Sequence, residues 1–256
     1  MVRLRALAAD IDGTLTVDRG VFTLDLEVAG MLRELRRKDV HIILVTGNSV
    51  PVVAGLARYL GFEDSPQVAE NGCMVFYRGA RFRTCTEDVT AAARLVEEKL
   101  PHLVYPSWQN VYRHCDYAFN VKAGVDAHSA LLEVKKLIEE HGFVNVGIGF
   151  SGYAIHVRPR CASKAGGLRK ALDLIGVRKE EVVAVGDSAM DAELKDAAGF
   201  LAAVGNADEV LKKSADIVLP GRSASSVKIL VEALLEANLD VEKALEKLRA
   251  LKALDR

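Results

Sequence analysis

The chain has 256 residues, of which 50% are hydrophobic and 27% charged, and its 34 basic residues nearly balance 35 acidic ones. This composition is typical of a globular protein, and the length suits one large domain or a domain that carries a substantial insertion. With a formal charge of −1 and interspersed signs, the sequence predicts neither a nucleic-acid partner nor a membrane partner.

The N-terminus and the apolar segments give no targeting or membrane signal. Residues 1–5 lead directly into a strand-like segment, without the long apolar stretch and cleavage site of a signal peptide. Uninterrupted apolar runs stay far below the roughly 18 residues that a membrane span needs. We therefore expect a cytoplasmic protein.

The first 60 residues predict a β-α-β-α unit. Apolar runs over residues 4–9 and 40–45 end in polar residues and are typical of strands buried on both faces. Thr23 is the expected cap of the helix between them, and a second helix is predicted from Pro51 to Leu60. Such alternation indicates a parallel sheet with helices on its faces.

From about residue 73 to residue 157 the pattern changes to an α+β unit. Strands are predicted over residues 74–77, 111–112 and 117–121, a hairpin over 145–157, and helices over 88–100 and 126–142. The predicted domains are a catalytic core, formed by residues 1–82 and 156–256, and an inserted α+β cap, formed by residues 83–155.

After the insertion the α/β alternation returns. Ser163 caps a predicted helix that ends at Gly176, and a strand over residues 182–185 ends in Gly186-Asp187. A further helix is predicted from about residue 190, strands over 201–204 and 217–219, and two helices at the C-terminus. The predicted fold class is α/β, with a Rossmann-like parallel sheet and an inserted α+β domain.

Acidic side chains follow two of the predicted parallel strands. Asp10 and Asp12 follow the first strand, and Asp187 with Asp191 follows the strand over residues 182–185. Because ligands bind at the carboxyl ends of parallel strands, we expect these carboxylates to meet at one edge of the sheet. Their negative charge is costly unless a cation offsets it, and oxygen-only ligands favour Mg²⁺.

Two further features predict phosphate chemistry at the same edge. Thr46, Gly47 and Asn48 lead into a helix N-terminus, whose amide donors suit phosphate oxygens. Lys164 lies in the first turn of a helix, where the macrodipole disfavours a cation unless an anion faces it. A carboxylate beside a metal suits a covalent nucleophile, and a neighbouring carboxylate suits a proton donor and acceptor.

Together these segments resemble the four motifs of the haloacid dehalogenase superfamily, in order and across essentially the whole chain. The insertion between Thr46 and Lys164 resembles the C2-capped, Cof-like branch, and the compact cap resembles the archaeal phosphoglycolate phosphatases. The resemblance implies Mg²⁺-dependent hydrolysis of a small phosphorylated metabolite, 2-phosphoglycolate, to glycolate and phosphate. Asp10 would form an aspartyl-phosphate, and Asp12 would act as acid and base.

The resemblance also implies roles for the remaining motif residues. Thr46, Gly47, Asn48 and Lys164 would hold the phosphate. The metal would be held by Asp10, the main-chain carbonyl of Asp12, Asp187, and Asp191 directly or through water. The alternatives within the superfamily are a sugar-phosphate phosphatase and a phosphohexomutase. A noncatalytic binding module is disfavoured, since it has little reason to maintain a costly carboxylate cluster.

The cap is expected to recognise the part of the substrate beyond the phosphate. Its polar candidates, none preferred, are Tyr112, Arg113, His114, Asn120 and Lys122. The segment from Gly147 to Gly152 has GxGxxG spacing, but a strand-like run follows it, so dinucleotide binding is not expected. The sequence leaves a homodimer open as the oligomeric state.

Neither the cysteines nor the histidines have metal-ligand spacing. The cysteines are widely separated and are expected to be free, mostly packed thiols: Cys73, Cys85, Cys115 and Cys161. The histidines are each expected to be structural or exposed: His41, His102, His114, His128, His141 and His156.

Overall fold

A computed structural model describes residues 2–254, with residues 252–254 described by their backbone alone. The strands are β1 (Ala6–Ala9), β2 (His41–Leu44), β3 (Gln67–Ala69), β4 (Met74–Tyr77), β5 (Ala80–Arg83), β6 (Val104–Pro106), β7 (Tyr117–Val121), β8 (Val146–Phe150), β9 (Ile155–Pro159), β10 (Val182–Gly186), β11 (Phe200–Ala203) and β12 (Ile217–Val218). The helices are α1 (Leu26–Arg37), α2 (Val50–Leu60), α3 (Thr90–Lys99), α4 (Ala127–Glu140), α5 (Lys164–Ile175), α6 (Glu209–Ser214), α7 (Ser223–Glu236) and α8 (Val241–Leu254). None of the described helices has the length and apolar character required to cross a bilayer.

A five-stranded parallel sheet in the order β12-β11-β10-β1-β2 forms the centre of the larger core. Ala6 of β1 is paired with His41 of β2 on one side and with Val182 of β10 on the other. The residues of β1 and β10 are fully buried, as expected for central strands with packed layers on both faces. The predicted α/β fold class with a parallel sheet is confirmed.

A second, antiparallel sheet β3-β4-β5 adjoins the parallel one through a bridge between Val45 and Val68. Helices α2 and α5 pack against β3 and β4, whereas α1 packs on α7 and α7 on α8. The change of pattern at residue 73 grouped β4 with the α+β segment, although the predicted domain boundaries left it in the core. Its apolar side chains Met74 and Val75 are buried in the larger hydrophobic core.

The ends of α5 agree with the sequence signals, but the start of α1 does not, and the helix predicted from about residue 190 is a 3-10 helix, Ala189–Asp196. The Oγ of Ser163 accepts the N–H of Gly166 at the start of α5, and Gly176 ends that helix in the left-handed conformation. The prediction of Thr23 as the cap of α1 is wrong, because Leu24 is paired with Thr16 and the chain is still extended there. Asp25 caps the helix instead, and its carboxylate accepts the N–H groups of Glu27 and Val28.

The insertion forms a four-stranded antiparallel sheet, in the order β6-β7-β9-β8, with α3 and α4 packed on it. It has a hydrophobic core of its own, which contains Val96, Phe119, Val134 and Ile155. Strand β9 runs across the expected boundary between residues 155 and 156, and we retain the division into core and cap as a proposal. The apparent GxGxxG motif lies in β8 and the turn after it, where no helix begins.

The predicted strand over residues 111–112 is wrong. These residues end a 3-10 helix, Trp108–Tyr112, that begins after Ser107. The Oγ of Ser107 accepts the N–H of Gln109, which starts the helical turn, and Val111 is 80% exposed. A turn that projects from the sheet into solvent therefore replaces the strand, although its residues have high strand propensity.

The cysteines form two disulfide bonds, so the prediction of free thiols is wrong. Cys73 is bonded to Cys115, and Cys85 to Cys161, with Cα separations of 6.4 and 5.9 Å. The partners are 42 and 76 residues apart along the chain, so their spacing could not reveal the pairing. Cys85 follows β5 and Cys161 follows β9, and this bond therefore joins the two segments that connect the insertion to the core.

Candidate active site

A cavity of about 580 Å³ lies between the edge of the parallel sheet and the insertion. Asp10 follows β1, Thr46 follows β2, and Asp187 follows β10, so the carboxyl ends of three strands meet at this cavity. Residues of the insertion line the opposite side, among them Trp108 and Arg113. The structure thus brings the motif residues together in one place.

Lys164 is buried between two of the carboxylates. Its Nζ lies 2.7 Å from Asp10 Oδ1 and 2.5 Å from Asp191 Oδ1. Burial alone would lower the pKa of Lys164, but the carboxylates of Asp10 and then Asp191 outweigh it and raise the pKa well above its ordinary value. Lys164 is therefore positively charged and lies at the end of β1. Its Nζ faces anions, as its place in the first turn of a helix predicted.

The backbone of α5 reaches this position because glycines let two segments approach closely. Gly72 has a φ of 90°, and a Cβ added to it would lie 1.8 Å from the carbonyl oxygen of Ser163. Only a residue without a side chain fits between the turn after β3 and the residue that caps α5. This contact sets the position of Lys164, which is the first residue of the helix.

Asp187 has the features of an incomplete cation site. Its Oδ2 is buried and has no hydrogen-bond partner, although the Nε of Arg19 lies 2.7 Å away. A Cβ added to Gly13, where φ is 89°, would lie 2.4 Å from this oxygen, so the backbone of the first motif passes directly beside it. Ligand oxygens of Asp10, Asp187 and Asp191 lie within 4.8 Å of one another.

These carboxylates fit a divalent metal. Burial, and then the neighbouring charge of Asp191, raise the pKa of Asp187 to about 7. Burial is also the main cause that raises the pKa of Asp10, and the charge of Lys164 offsets it only in part. A hard cation among these oxygens would remove the repulsion, and oxygen donors suit Mg²⁺ better than they suit zinc or copper.

Asp191 is held more tightly by the protein than the other acidic residues. Its Oδ2 accepts the N–H groups of Asp187 and Ser188 and the hydroxyl of Ser188, at 2.9 to 3.1 Å. Its Oδ1 accepts from Lys164. These bonds occupy both oxygens, which favours a role for Asp191 in positioning Lys164 and the loop that carries Asp187.

Asn48 connects the first two motifs. Its Nδ2 donates to Asp12 Oδ2 at 2.7 Å and to Thr46 Oγ1 at 2.9 Å. Burial raises the pKa of Asp12, and the hydrogen bond from Asn48 and the charge of Lys164 lower it only in part. A carboxyl group with a raised pKa is suited to hold and release a proton.

The sequence did not predict several residues that contact the site. Gln109 of the insertion donates from Nε2 to Asn48 Oδ1 at 2.7 Å, and its Oε1 accepts the N–H of Ser49 at 2.8 Å. Arg19 contacts Asp187 and also Asp208, at 2.7 and 2.8 Å. These contacts join residues far apart in the chain, and no spacing rule predicts them.

His156 and Asn71 lie against the loop of the second motif. A Cβ added to Gly47 would lie 3.2 Å from the side-chain amide of Asn71 and from Cε1 of His156. His156 is buried, bonds Asp116 and lines the cavity, and the expectation that the histidines are structural or exposed stays a prediction. Of the candidates proposed in the insertion, Arg113 and Asn120 line the cavity, whereas Tyr112, His114 and Lys122 do not.

Comparison with known sequences agrees with this arrangement. A family model described as haloacid dehalogenase-like hydrolase matches residues 7–104 and 116–229. The phosphoglycolate phosphatase 1 of Saccharolobus solfataricus is 38% identical over 238 residues, which cover 93% of this chain and 98% of the relative. The phosphoglycolate phosphatase of Metallosphaera sedula is 39% identical over 233 residues, which cover 91% of this chain and 99% of the relative.

Solved structures share the fold at lower sequence identity. A protein of Thermoplasma acidophilum superposes with a TM-score of 0.76 at 23% identity, covering 93% of this chain and 99% of its own. A haloacid dehalogenase-like hydrolase of B. subtilis superposes with a TM-score of 0.71 at 19% identity, covering 90% and 99%. These likenesses extend over both the parallel-sheet core and the insertion.

Proposed function

The chain belongs to the haloacid dehalogenase-like hydrolases, and on that premise we propose that it is a Mg²⁺-dependent phosphatase that hydrolyses 2-phosphoglycolate to glycolate and phosphate. The single observation that carries the proposal is the contact of Lys164 Nζ with Asp10 at 2.7 Å, within a cluster where carboxylate oxygens of Asp10, Asp187 and Asp191 lie within 4.8 Å of one another. The names of the relatives from Saccharolobus solfataricus and Metallosphaera sedula support the choice of substrate.

In the proposed reaction an oxygen of Asp10 attacks phosphorus and the bond to the leaving oxygen breaks. Asp12 gives its proton to the leaving alkoxide, which departs as glycolate. Asp12 then takes a proton from water as that water attacks the aspartyl-phosphate, and this regenerates Asp10 and releases phosphate. The raised pKa of Asp12 supports this double role.

The phosphoryl oxygens would be held by the second and third motifs. Thr46 Oγ1, the backbone amide of Gly47 and Lys164 Nζ would supply donors and one positive charge, and the amide of Asn48 donates to Thr46 Oγ1 at 3.1 Å. Asn48 orients Asp12 through their 2.7 Å hydrogen bond and so keeps the acid beside the leaving oxygen. Phosphoryl transfer depends on such positioning and charge neutralisation more than on further covalent chemistry.

We propose that Asp10, the main-chain carbonyl of Asp12, and Asp187 hold the Mg²⁺, with Asp191 close by. Bound there, Mg²⁺ would neutralise phosphate charge and keep Asp10 ionised at neutral pH. The Nε of Arg19 also contacts the carboxylate of Asp187, at 2.7 Å.

The test measures phosphate release from 2-phosphoglycolate and from a panel of sugar phosphates, with Mg²⁺ and after chelation, for the wild type and Asp10→Asn. We expect rapid release from 2-phosphoglycolate that needs Mg²⁺ and is lost in the variant, because the nucleophile is missing. Isomer formation without free phosphate would identify a mutase, and activity confined to sugar phosphates would reject the substrate. Full activity of Asp10→Asn would reject the nucleophile.

A cytoplasmic location and a homodimer remain predictions.

A further inference from the structure

We infer that Arg113, assisted by His156, binds a carboxylate on the leaving group, so that this enzyme selects small phosphate monoesters that carry a carboxylate. The inference rests on the proposed phosphatase function and deepens it, because it concerns the part of the substrate beyond the phosphate. Both residues lie on the wall of the cavity that the insertion and its connecting strand provide.

Charge selects these two side chains among the residues that line the cavity. Three of them can carry positive charge, namely Lys164, Arg113 and His156. Lys164 is committed to Asp10 and Asp191, at 2.7 and 2.5 Å. Arg113 and His156 share a single carboxylate, Asp116, so a second anionic group on the substrate finds its countercharge at Arg113, with His156 beside it.

Arg113 has donor capacity that the protein leaves unused. Its side chain is only 3% exposed, and its Nη1 donates to the main-chain oxygen of Asp116 at 3.1 Å and to Asp116 Oδ2 at 3.3 Å. Its Nε is buried without a hydrogen-bond partner. A buried donor without a partner is costly and uncommon, and a guanidinium group is shaped to bind a carboxylate through two parallel N–H groups.

His156 lies between Arg113's partner and the phosphate-binding loop. Its Nδ1 is 2.9 Å from Asp116 Oδ2, and its Nε2 is 3.2 Å from the hydroxyl of Ser151, which also lines the cavity. A Cβ added to Gly47 would lie 3.2 Å from Cε1 of His156, so the ring lies close beside that loop. The ring of His156 therefore lies between the carboxylate that pairs with Arg113 and a hydroxyl of the cavity wall, beside the loop that would hold phosphate.

Asp116 fixes both donors relative to the core. It is fully buried and also accepts from Nδ2 of Asn71, at 2.8 Å, and Asn71 belongs to the turn after β3. Burial alone would raise the pKa of Asp116, but the charges of His156 and then Arg113 outweigh it and hold the pKa below its ordinary value. The ionised carboxylate therefore links the side chains of Arg113 and His156 to a turn that touches the phosphate loop, which sets the spacing between the two anion sites.

The test compares two substrates that differ in charge at the leaving group, 2-phosphoglycolate and 2-hydroxyethyl phosphate. The variants are Arg113→Met and Arg113→Lys, with Lys122→Met as the matched control, since Lys122 is an exposed cation of the insertion outside the cavity. We expect Arg113→Met to lower kcat/KM for 2-phosphoglycolate about 10- to 100-fold more than for 2-hydroxyethyl phosphate, mainly through KM. Arg113→Lys restores part of the selectivity, and Lys122→Met changes neither substrate.

Equal losses on both substrates in Arg113→Met, or no loss on either, would overturn the inference and leave the phosphatase function intact. If the wild type releases no phosphate from either substrate, the proposed function itself fails before any variant is compared.

Circular dichroism and thermal unfolding establish that the variants are folded. If Arg113→Met does not fold, His156→Asn carries the test, because its amide can still donate to Asp116 while the Nε2 donor is lost. The expected selective loss for His156→Asn is about 3- to 10-fold, and equal loss on both substrates would again overturn the inference.

Discussion

At the scale of single residues, the two aspartates of the first motif differ in what they contact. Asp10 contacts a lysine, whereas Asp12 accepts a hydrogen bond from a neutral amide and is partly accessible from the cavity. The charge of Lys164 favours the ionised form of Asp10, the proposed nucleophile, whereas the amide leaves Asp12, the proposed acid and base, able to exchange a proton. The same residue type can therefore serve two chemical roles two positions apart.

Replacing Asp12 by a residue that cannot exchange a proton should slow both the formation and the hydrolysis of the aspartyl-phosphate. We expect Asp12→Asn to lower kcat for 2-phosphoglycolate about 10²- to 10⁴-fold, because a poor alkoxide leaving group needs an acid. For 4-nitrophenyl phosphate, whose leaving group needs little protonation, formation of the aspartyl-phosphate should be much less affected. Single-turnover kinetics separate that first half from its hydrolysis, and Asp173→Asn, at an exposed position of α5, is the control. Unchanged turnover of 2-phosphoglycolate would remove Asp12 from its role.

Asp116 should make the protein sensitive to acid. Because its pKa is depressed in the folded state, its ionised form stabilises the fold above the unfolded-state pKa of about 3.9, and this stabilisation is lost as the pH falls through the lower, folded value. We expect Asp116→Asn to lower the free energy of unfolding by about 3 kcal/mol at neutral pH, since it leaves Arg113 without its buried partner.

The difference in free energy of unfolding between the wild type and Asp116→Asn should then narrow below about pH 4, where the wild type loses the stabilisation from the ionised Asp116. Urea unfolding from neutral to acidic pH measures it, and Asp173→Asn serves again as the control. A difference in free energy of unfolding that stays constant with pH would show that the charge of Asp116 does not stabilise the fold.

At the scale of elements, the turn after β3 and the start of α5 act as one unit. Besides Gly72, a Cβ added to Gly167 of α5 would lie 2.6 Å from the Cα of Gly72. The turn also has strained residues, because Glu70 and Asn71 both have a φ of 52°. The carboxylate of Glu70 accepts the N–H groups of His114 and Cys115, so the same turn connects the core to the insertion.

Gly72→Ala should disturb both stability and catalysis, because the added methyl group would displace the residue that precedes Lys164. Gly124→Ala is the matched control, since Gly124 also has a positive φ, 81°, but no atom lies within 4 Å of its added Cβ. We expect about 1 kcal/mol of destabilisation for Gly124→Ala, from backbone strain alone, with full kcat. Gly72→Ala should cost at least about 3 kcal/mol and lower kcat more than tenfold. Equal effects of the two substitutions on kcat would show that the close contact does not position Lys164.

At the scale of the whole molecule, the disulfide between Cys85 and Cys161 joins the two ends of the insertion. Replacing both cysteines by Ala should lower the free energy of unfolding by about 4 kcal/mol, because a crosslink of 76 residues strongly restricts the unfolded chain. Guanidinium unfolding measures the loss, and the wild type in excess dithiothreitol, with both disulfides reduced, should lose at least as much. Equal stability of the variant and the oxidised wild type would mean that the bond adds nothing.

Metal binding should stabilise the whole molecule and not only activate it. We expect Mg²⁺ at about 100 times its dissociation constant to raise Tm by about 5 °C, because it binds only the folded carboxylate cluster. The shift should grow as the pH rises through about 7, where Asp187 ionises, since metal and proton compete. Differential scanning calorimetry measures it, and Asp187→Asn should lose most of the shift. An equal shift in that variant would place the metal elsewhere.

The sequence could predict those parts of the molecule that follow local rules. Ser163 and Gly176 mark the ends of α5, and the meeting of Asp10 with Asp187 follows from the geometry of parallel strands. Thr23 and Asp25 are both plausible caps by residue type, and pairing of Leu24 with Thr16 decides between them. Contacts across long separations had no such signal, and these include the disulfide bonds and the joining of Arg113, Asp116 and His156.

The position of β1 in the parallel sheet has a consequence for synthesis of the chain. Ala6 pairs early with His41, but its other partner, Val182, leaves the ribosome much later. At about 5 to 20 residues per second, roughly 7 to 28 s pass between synthesis of His41 and synthesis of Val182. During that interval the insertion, whose strands lie close together in the chain, can complete its own sheet. The nascent protein therefore carries Asp10, the proposed nucleophile, before Lys164 and Asp187 exist, and we expect catalytic competence only after Asp187 has been synthesised.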